Sequence, residues 1–193
     1  MIPRACEPLQ KAGMNVLTEH SAGADAGSSD DHYAAHAARL ASRAEVFREV
    51  GIIVQLRCLG ANPETGRADL GIWRSGQTLI GFGEPLSALK ECSDLAATGV
   101  SSLAMEPMPG SPAQSMDALS SMATISGYQA VLLAATSLPK MFPALMTAAG
   151  IVTPAKVFIL GAGVAGLQRP SPPPAAWARW PQATTYARQS RNR

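Results

Sequence analysis

The sequence predicts an α/β fold built on a mostly parallel sheet. Short β-branched apolar runs recur at residues 14–18, 51–56, 78–82, 100–105 and 156–160. Helix-like stretches separate them, at 30–42, 87–98 and 116 to about 149. Alternation of short strands with helices is typical of βαβ units, whose sheets are covered on both faces. A hydrophobic content of 47% in 193 residues supplies enough apolar side chains for such a core.

In chain order, the first helix is expected over 30–42, because Ser28, Ser29 and Asp30 form a capping sequence. The run Ile52 to Leu56 has the β-branched character of a buried parallel strand. The strands at 78–82 and 100–105 flank the next predicted helix, at 87–98. These elements together predict βαβ units built on a mostly parallel sheet.

The long apolar stretch from Met116 to about Ala149 contains Pro139 and Pro143. Proline lacks a backbone donor and clashes with the preceding turn, so we expect a break near Leu138 and two helices rather than one. Gly150 and Thr153-Pro154 then lead into a strand at 156–160.

Residues 168–193 differ in composition from the rest of the chain. They contain five prolines, five arginines and no acidic residue, without helical or strand periodicity. We predict a disordered basic tail over 169–193, and a polyproline II recognition segment at 172–174 is the alternative.

Composition excludes several classes of function. Before residue 168 the chain has 11 basic and 14 acidic residues, and aromatic residues make up 5%, so a nucleic-acid-binding surface is not expected. Cys6, Cys58 and Cys92 form no CxxC pair, which excludes a zinc knuckle and fits a reducing cytosol. We expect no membrane-spanning segment, which would need an apolar run of roughly 20 residues.

Residues 161–166, GAGVAG, match the GxGxxG pattern directly after a predicted strand. The first glycine allows a tight turn, the second lets a pyrophosphate approach the backbone, and the third allows close packing of helix and strand. Gly161, Gly163, Val164 and Gly166 are therefore candidate cofactor-binding residues. The acidic residue expected about 20 positions later is absent, because no Asp or Glu follows Asp117. The alternative is a turn that binds nothing.

Gln114, Asp117 and Ser120 are spaced by three residues at the start of the long helix. On one helical face they present an amide, a carboxylate and a hydroxyl to a common volume. The alternative is a simple helix start, with Ser111 or Ser115 as N-cap and Asp117 in the first turn. His32 and His36, at i and i+4, lack an obvious third ligand, so no metal site is predicted.

Four segments of the sequence resemble the alanine dehydrogenase and pyridine nucleotide transhydrogenase family. They are residues 76–82, 113–128, 146–150 and 154–168. Within the family, the sequence is most similar to the soluble domain I, the alpha subunit, of bacterial proton-translocating transhydrogenases. The resemblance implies a flavodoxin-like N-terminal domain over 1–126, connecting helices over 127–153, and the first strand and glycine turn of a Rossmann domain over 154–168.

The resemblance also implies function. In the family, NAD(H) binds the Rossmann unit and exchanges hydride with NADP(H) on another domain, coupled to proton translocation. By motif match, Gln114, Asp117 and Ser120 take the place of the loop residues that position the nicotinamide. The implied partners are the membrane and NADP-binding subunits and a second alpha subunit. The implied location is cytoplasmic, at the inner face of the plasma membrane.

Departures from the family pattern predict impaired activity. Pro109 and Pro112 replace two arginines of the nicotinamide loop. Arg57 occupies the position of the alanine dehydrogenase lysine, and residues 83–85 lack its histidine, so the transhydrogenase branch is preferred. The resemblance stops at Gln168, so we expect a truncated gene product with little affinity for NAD(H). The alternatives are a non-catalytic docking module and a degenerate alanine dehydrogenase-like protein.

Overall fold

The computed structural model describes residues 1–108, 114–142, 145–161 and 163–167, together with 184–186; for Gln114 and residues 184–186 it describes the backbone alone. The chain folds into two compact units, residues 1–108 and 109–193. The domain boundaries inferred from the sequence stay predictions.

Unit one alternates short helices with parallel strands, which confirms the predicted α/β class. Its helices are α1 (Cys6–Lys11), α2 (Asp30–Ala35), α3 (Arg43–Glu49), α4 (Pro63–Gly66) and α5 (Leu89–Ala96). Its strands are β1 (Leu17–Glu19), β2 (Arg39–Ala41), β3 (Ile52–Arg57), β4 (Thr78–Phe82) and β5 (Ser101–Ala104). Short 3-10 turns occur at Pro3–Ala5, Ala24–Ala26 and Arg67–Gly71.

The strands of unit one form two parallel arrangements. Strands β3, β4 and β5 make a three-stranded sheet in that order, with Ile53 opposite Leu79 and Leu79 opposite Ser102. Strands β1 and β2 pair with each other, with Leu17 opposite Arg39. The predicted runs at 51–56, 78–82 and 100–105 correspond to β3, β4 and β5, whereas the run at 14–18 overlaps β1 only at Leu17 and Thr18.

The helix predicted over 30–42 is wrong beyond Ala35. The chain turns through Ala37, whose φ is +65°, and then forms strand β2. Pairing with β1 determines this outcome, because Arg39 donates its backbone N–H to the Val16 carbonyl at 2.9 Å. Ser42 does not end a helix but begins α3, in a capping box with Glu45.

The larger of two core clusters in unit one lies against one face of the three-stranded sheet. It consists of Phe47, Ile53, Cys58, Leu59, Leu79, Leu95 and Val100. On the opposite face, Ile52, Val54 and Leu103 are each more than half exposed. A parallel sheet is usually covered on both faces. Because these three side chains are exposed, unit one presents an open apolar sheet face.

A polar network joins four elements of unit one. Arg43 on α3 donates from Nε and Nη2 to the two carboxylate oxygens of Asp69, at 2.9 and 2.5 Å. Its Nη1 donates to Glu19 at the end of β1, at 2.7 Å. Gln55 of β3 donates to Asp69 at 3.0 Å. Because Asp69 is buried, these bonds compensate the loss of its hydration.

Unit two begins with a long helix. A 3-10 turn over Gln114–Met116 leads into α6 (Ala118–Ser137). The break predicted near Leu138 is confirmed, since Leu138 is extended, with ψ of 130°, directly before Pro139. Helix α6 has 20 residues, none of them charged, and a mean hydropathy of 1.3. It is the one helix in the described segments that could span a membrane by length and composition, so the expectation that no run reaches this length is wrong.

The second helix predicted before residue 149 is wrong. Strands β6 (Leu145–Thr147) and β7 (Gly150–Val152) form an antiparallel hairpin in its place. The two-residue connection and Gly150, with φ of +132°, favour a tight turn, and Ile151 and Val152 have β-branched side chains suited to a strand.

The end of the described chain contains the predicted strand and glycine turn. Strand β8 (Phe158–Leu160) falls within the predicted 156–160 and is followed by α7 (Val164–Leu167). A further strand, β9 (Thr184–Tyr186), pairs in parallel with β8. The prediction of a tail without regular structure is therefore wrong for 184–186, where Thr and Tyr residues have high β propensity and β8 offers a free edge. The rest of that prediction, including 172–174, lies outside the described residues.

Candidate functional site

Asp117 lies between the 3-10 turn and helix α6 and caps the helix. Its Oδ1 accepts the backbone N–H of Ser120 at 2.9 Å, and its Oδ2 accepts the Ser120 hydroxyl at 2.6 Å. The Ser121 hydroxyl donates to the Asp117 carbonyl oxygen at 3.1 Å. Asp117 itself is thus the N-cap, and the prediction that Ser111 or Ser115 caps the helix is wrong for Ser115; Ser111 lies outside the described residues.

The hydrogen bonds keep this carboxyl group ionised. The Ser120 hydroxyl and then the Ser120 backbone N–H lower the pKa of Asp117 from its usual value. At neutral pH Asp117 is therefore an ionised carboxylate, and the Ser120 hydroxyl donates its proton to a hydrogen bond with it. The Ser120 oxygen is left with its lone pairs available to a ligand donor.

The three predicted residues of this loop are only partly brought together. Asp117 and Ser120 are in direct contact, as their spacing predicted. The backbone of Gln114 begins the 3-10 turn that precedes Asp117, and its side chain lies outside the described residues. Pro109 and Pro112 also lie outside them.

The first glycine of the motif follows β8 directly and has a positive φ. Gly161 has a φ of +104°, which favours glycine over other residues. A Cβ added at Gly161 or Gly163 would meet no atom within 4 Å, so the backbone there is open to an approaching group. A Cβ at Gly166 would lie 2.2 Å from the Gly161 carbonyl oxygen. Val164 is the first residue of α7.

These residues fit one portion of a dinucleotide. Two glycines without side chains leave room for a pyrophosphate, and the third allows α7 to pack closely on the turn. The sequence supplies no acidic residue after Asp117 to hold a ribose hydroxyl. The turn therefore fits the pyrophosphate of NAD(H), whereas the ribose contact of the motif has no candidate.

Sequence reasoning missed Gly127, which lies near the middle of α6. It is buried, and a Cβ there would lie 2.3 Å from the Ala165 carbonyl oxygen of α7. The signal available in the sequence was a glycine inside an otherwise continuous helical pattern, which indicates a packing or functional reason.

Sequence reasoning also missed Glu106, which organises the carboxyl edge of the sheet in unit one. Its Oε1 accepts the backbone N–H groups of Gly83 and Glu84 at 2.7 and 2.6 Å. Glu84 has a φ of +48°, so the carboxylate holds a left-handed turn after β4. Burial, with a smaller contribution from Glu106, raises the pKa of the nearby Cys58 thiol to about 12. Cys58 is therefore a neutral core residue rather than a nucleophile.

His36 and Arg57 are engaged in structural contacts. The Nδ1 atom of His36 lies 2.5 Å from a Glu7 carboxylate oxygen, and the described residues contain no cluster of three potential metal ligands. Arg57 donates through Nη2 to the Ala61 carbonyl oxygen. Its guanidinium therefore supports a loop in unit one.

Comparison with known families matches nearly the whole described chain. The profile of "Alanine dehydrogenase/PNT, N-terminal domain" matches residues 1–126, and that of "Alanine dehydrogenase/PNT, C-terminal domain" matches residues 130–170. A protein named NAD(P) transhydrogenase subunit alpha, from Cereibacter sphaeroides, is 45% identical over 86% of this chain and 31% of its own length. The protein of the same name from Haemophilus influenzae is 37% identical, again over 86% of this chain and 31% of its own length.

Solved structures give the same result. The crystal structure of transhydrogenase from Sinorhizobium meliloti superposes with a TM-score of 0.79 at 36% identity, over 86% of this chain and 48% of that one. An L-alanine dehydrogenase superposes with a TM-score of 0.68 at 25% identity, over 86% of this chain and 45% of that one. The chain thus spans less than half the length of each of these relatives.

Proposed function

Because this chain belongs to the alanine dehydrogenase/PNT family, we propose that it acts as a portion of an NAD(P) transhydrogenase alpha subunit. Its share is the N-terminal domain together with the opening strand and glycine turn of the NAD(H) unit. The similar proteins from Cereibacter sphaeroides and Haemophilus influenzae are both named as transhydrogenase subunits, which favours a transhydrogenase function over an alanine dehydrogenase function. The residue at the lysine position of alanine dehydrogenase is Arg57, which is held by a backbone carbonyl.

The Asp117–Ser120 pair is the observation that carries this proposal. NAD(H), when bound, supplies the hydride and the ring that accepts or releases it. The carboxylate of Asp117 fixes the Ser120 hydroxyl proton, so the Ser120 oxygen would accept from the N–H of a carboxamide. The family resemblance implies that the Gln114 amide would pair with the same group. Holding the carboxamide orients the ring, and orientation is a large share of catalysis for hydride transfer.

We further propose that this chain transfers hydride poorly. Pro109 and Pro112 stand where the family has arginines, so a cationic contact of the loop is missing and its backbone is stiffened. The absence of an acid after Asp117 removes the expected ribose contact. Affinity for NAD(H) is accordingly low, and the site orients the ring less well.

The proposed partners are the membrane and NADP-binding subunits of the transhydrogenase and a second alpha subunit. Their contact would place the chain at the cytoplasmic side of the membrane. A role as a docking module without catalysis is the second candidate function, and the exposed apolar surface favours it. The open sheet face of unit one and the exposed side chains of α6, such as Ile125 and Leu133, are surfaces of the kind that partners cover.

Reconstitution with the other transhydrogenase subunits from the same organism distinguishes the two functions. The chain is mixed with the beta subunit, co-elution is followed by size exclusion, and reduction of an NAD analogue by NADPH is followed by absorbance. Asp117→Asn is compared with Ser126→Ala, an exposed position on the same helix.

Co-elution with slow turnover that falls further in Asp117→Asn, and not in Ser126→Ala, supports the catalytic proposal. Co-elution without turnover supports the docking module. If the chain shows no co-elution and no turnover, both functions are contradicted.

A further inference from the structure

One glycine interrupts the apolar helix α6, and it is the buried residue of that helix. A Cβ on Gly127 would lie 2.3 Å from the carbonyl oxygen of Ala165, and 2.9 Å from its carbonyl carbon and Cα. All three are backbone atoms of α7. A change of side-chain rotamer could not relieve such an overlap, so the short helix α7 itself would have to move.

The conformation of Gly127 does not explain why glycine stands there. Its φ is not positive, and alanine favours the interior of a helix more than glycine does. The close approach of α7 is the structural feature that requires a residue without a side chain. Gly166 makes the matching contact within the turn, since its Cβ would lie 2.2 Å from the Gly161 carbonyl oxygen. Helix α7 is thus held by backbone contacts on two sides.

We propose that Gly127 is a positioning residue that seats the glycine turn, residues 161–167, on helix α6. The inference rests on the proposed function, in which this turn receives the pyrophosphate and the Asp117–Ser120 pair receives the nicotinamide end. The Asp117–Ser120 pair and the glycine turn are then both positioned by one helix, α6. Gly127 lies nine positions after Ala118, which corresponds to about 14 Å along the helix axis. Gly127 sets where the turn lies relative to that end of the helix.

Hydrogen exchange of the full 193-residue chain tests this inference. Gly127→Ala, Ser126→Ala and the unchanged protein are compared by mass spectrometry of peptides covering 118–137 and 158–167. Both substitutions introduce a better helix former at adjacent positions, and Ser126 is exposed whereas Gly127 is buried. We expect Gly127→Ala to accelerate exchange in 163–167 by about tenfold or more, with no acceleration in 118–137. Ser126→Ala is expected to change neither segment.

Unchanged exchange in 163–167 of Gly127→Ala would overturn the proposal. Equal acceleration in both segments would also overturn it, because Gly127 would then support α6 in general rather than seat the turn.

A second measurement adds inorganic pyrophosphate at millimolar concentration to the same proteins. Protection of 161–167 in the unchanged chain that is lost in Gly127→Ala supports the positioning role, and full protection in both contradicts it. Absence of protection in the unchanged chain contradicts the nucleotide role of the turn, and the exchange comparison without ligand then decides the role of Gly127.

Discussion

At the scale of single residues, Asp117 caps helix α6 and accepts the Ser120 hydroxyl, and it shows what could and could not be predicted from the sequence. The spacing of Asp117 and Ser120 predicted that the two side chains would meet, and they do. The sequence did not show that Asp117 is itself the helix cap, because a cap depends on the φ and ψ angles of one residue, which several nearby polar residues could have adopted.

Substitution of Gly81 tests whether the close approach of a neighbouring strand's backbone requires glycine at this position. A Cβ at Gly81 would lie 1.9 Å from the carbonyl oxygen of Gln55 and 2.7 Å from the Cys58 sulfur. We therefore expect Gly81→Ala to lower the free energy of unfolding by about 3 kcal/mol or more. Gly51→Ala is the matched control, since a Cβ there meets no atom within 4 Å, and its effect should stay within about 0.5 kcal/mol. Urea titration measures both, and equal effects would contradict the close approach.

The buried carboxylate of Asp69 gives a second prediction at this scale. Its side chain is 6% exposed, and Arg43 neutralises it. Among the described residues, Arg43→Leu leaves the charge with the Gln55 amide as its one side-chain partner, so we expect a loss of about 3 kcal/mol in the free energy of unfolding. Arg48→Leu, on the same helix but 67% exposed, should change it by less than about 0.5 kcal/mol. Chemical denaturation followed by circular dichroism tests this, and similar losses for the two variants would refute it.

At the scale of elements, the sequence predicted those whose local pattern determines them. Strands β3, β4 and β5 and the end of α6 before Pro139 were predictable from β-branched runs and from proline. Strand β2 was not, because Arg39–Ala41 is extended through its pairing with β1, a contact distant in sequence. The hairpin β6–β7 was missed for a similar reason, since its apolar residues also fit a helix.

The capping box of α3 gives a prediction at this scale. Ser42→Ala removes a cap that accepts the Glu45 backbone N–H, and it should cost about 1 kcal/mol. Hydrogen bonds from the Ser42 backbone N–H and then its hydroxyl lower the pKa of Glu45. The stabilisation from this ionised carboxylate is therefore complete above the usual glutamate pKa and is lost as the pH falls through the lower value of the folded state. The Ser42→Ala variant keeps the backbone N–H bond to the Glu45 carboxylate and loses the hydroxyl bond, so melting curves from pH 7 to pH 3 should show the difference between the two proteins narrowing without vanishing. A difference that does not change with pH would contradict this.

At the scale of the whole molecule, each unit exposes apolar surface that its own described elements do not cover. Unit one has the open face of its three-stranded sheet, and unit two has an uncharged helix of 20 residues. Such surfaces favour association in water. The sequence composition predicted a packed core but not these faces, because exposure depends on which elements pack together.

We accordingly expect the isolated chain to associate. Sedimentation velocity over a range of concentrations should show species larger than the 20.1 kDa monomer, and addition of the beta subunit should reduce them. A single monomeric species with one sharp thermal transition would show that the apolar faces are not binding surfaces.

Isothermal titration of NADH into the chain tests whether the glycine turn and the Asp117–Ser120 pair belong to a nucleotide site whose ribose contact has no acidic residue. The expected result is a dissociation constant weaker than about 1 mM, which corresponds to less than about 4 kcal/mol of binding free energy. Micromolar binding of NADH would contradict the account.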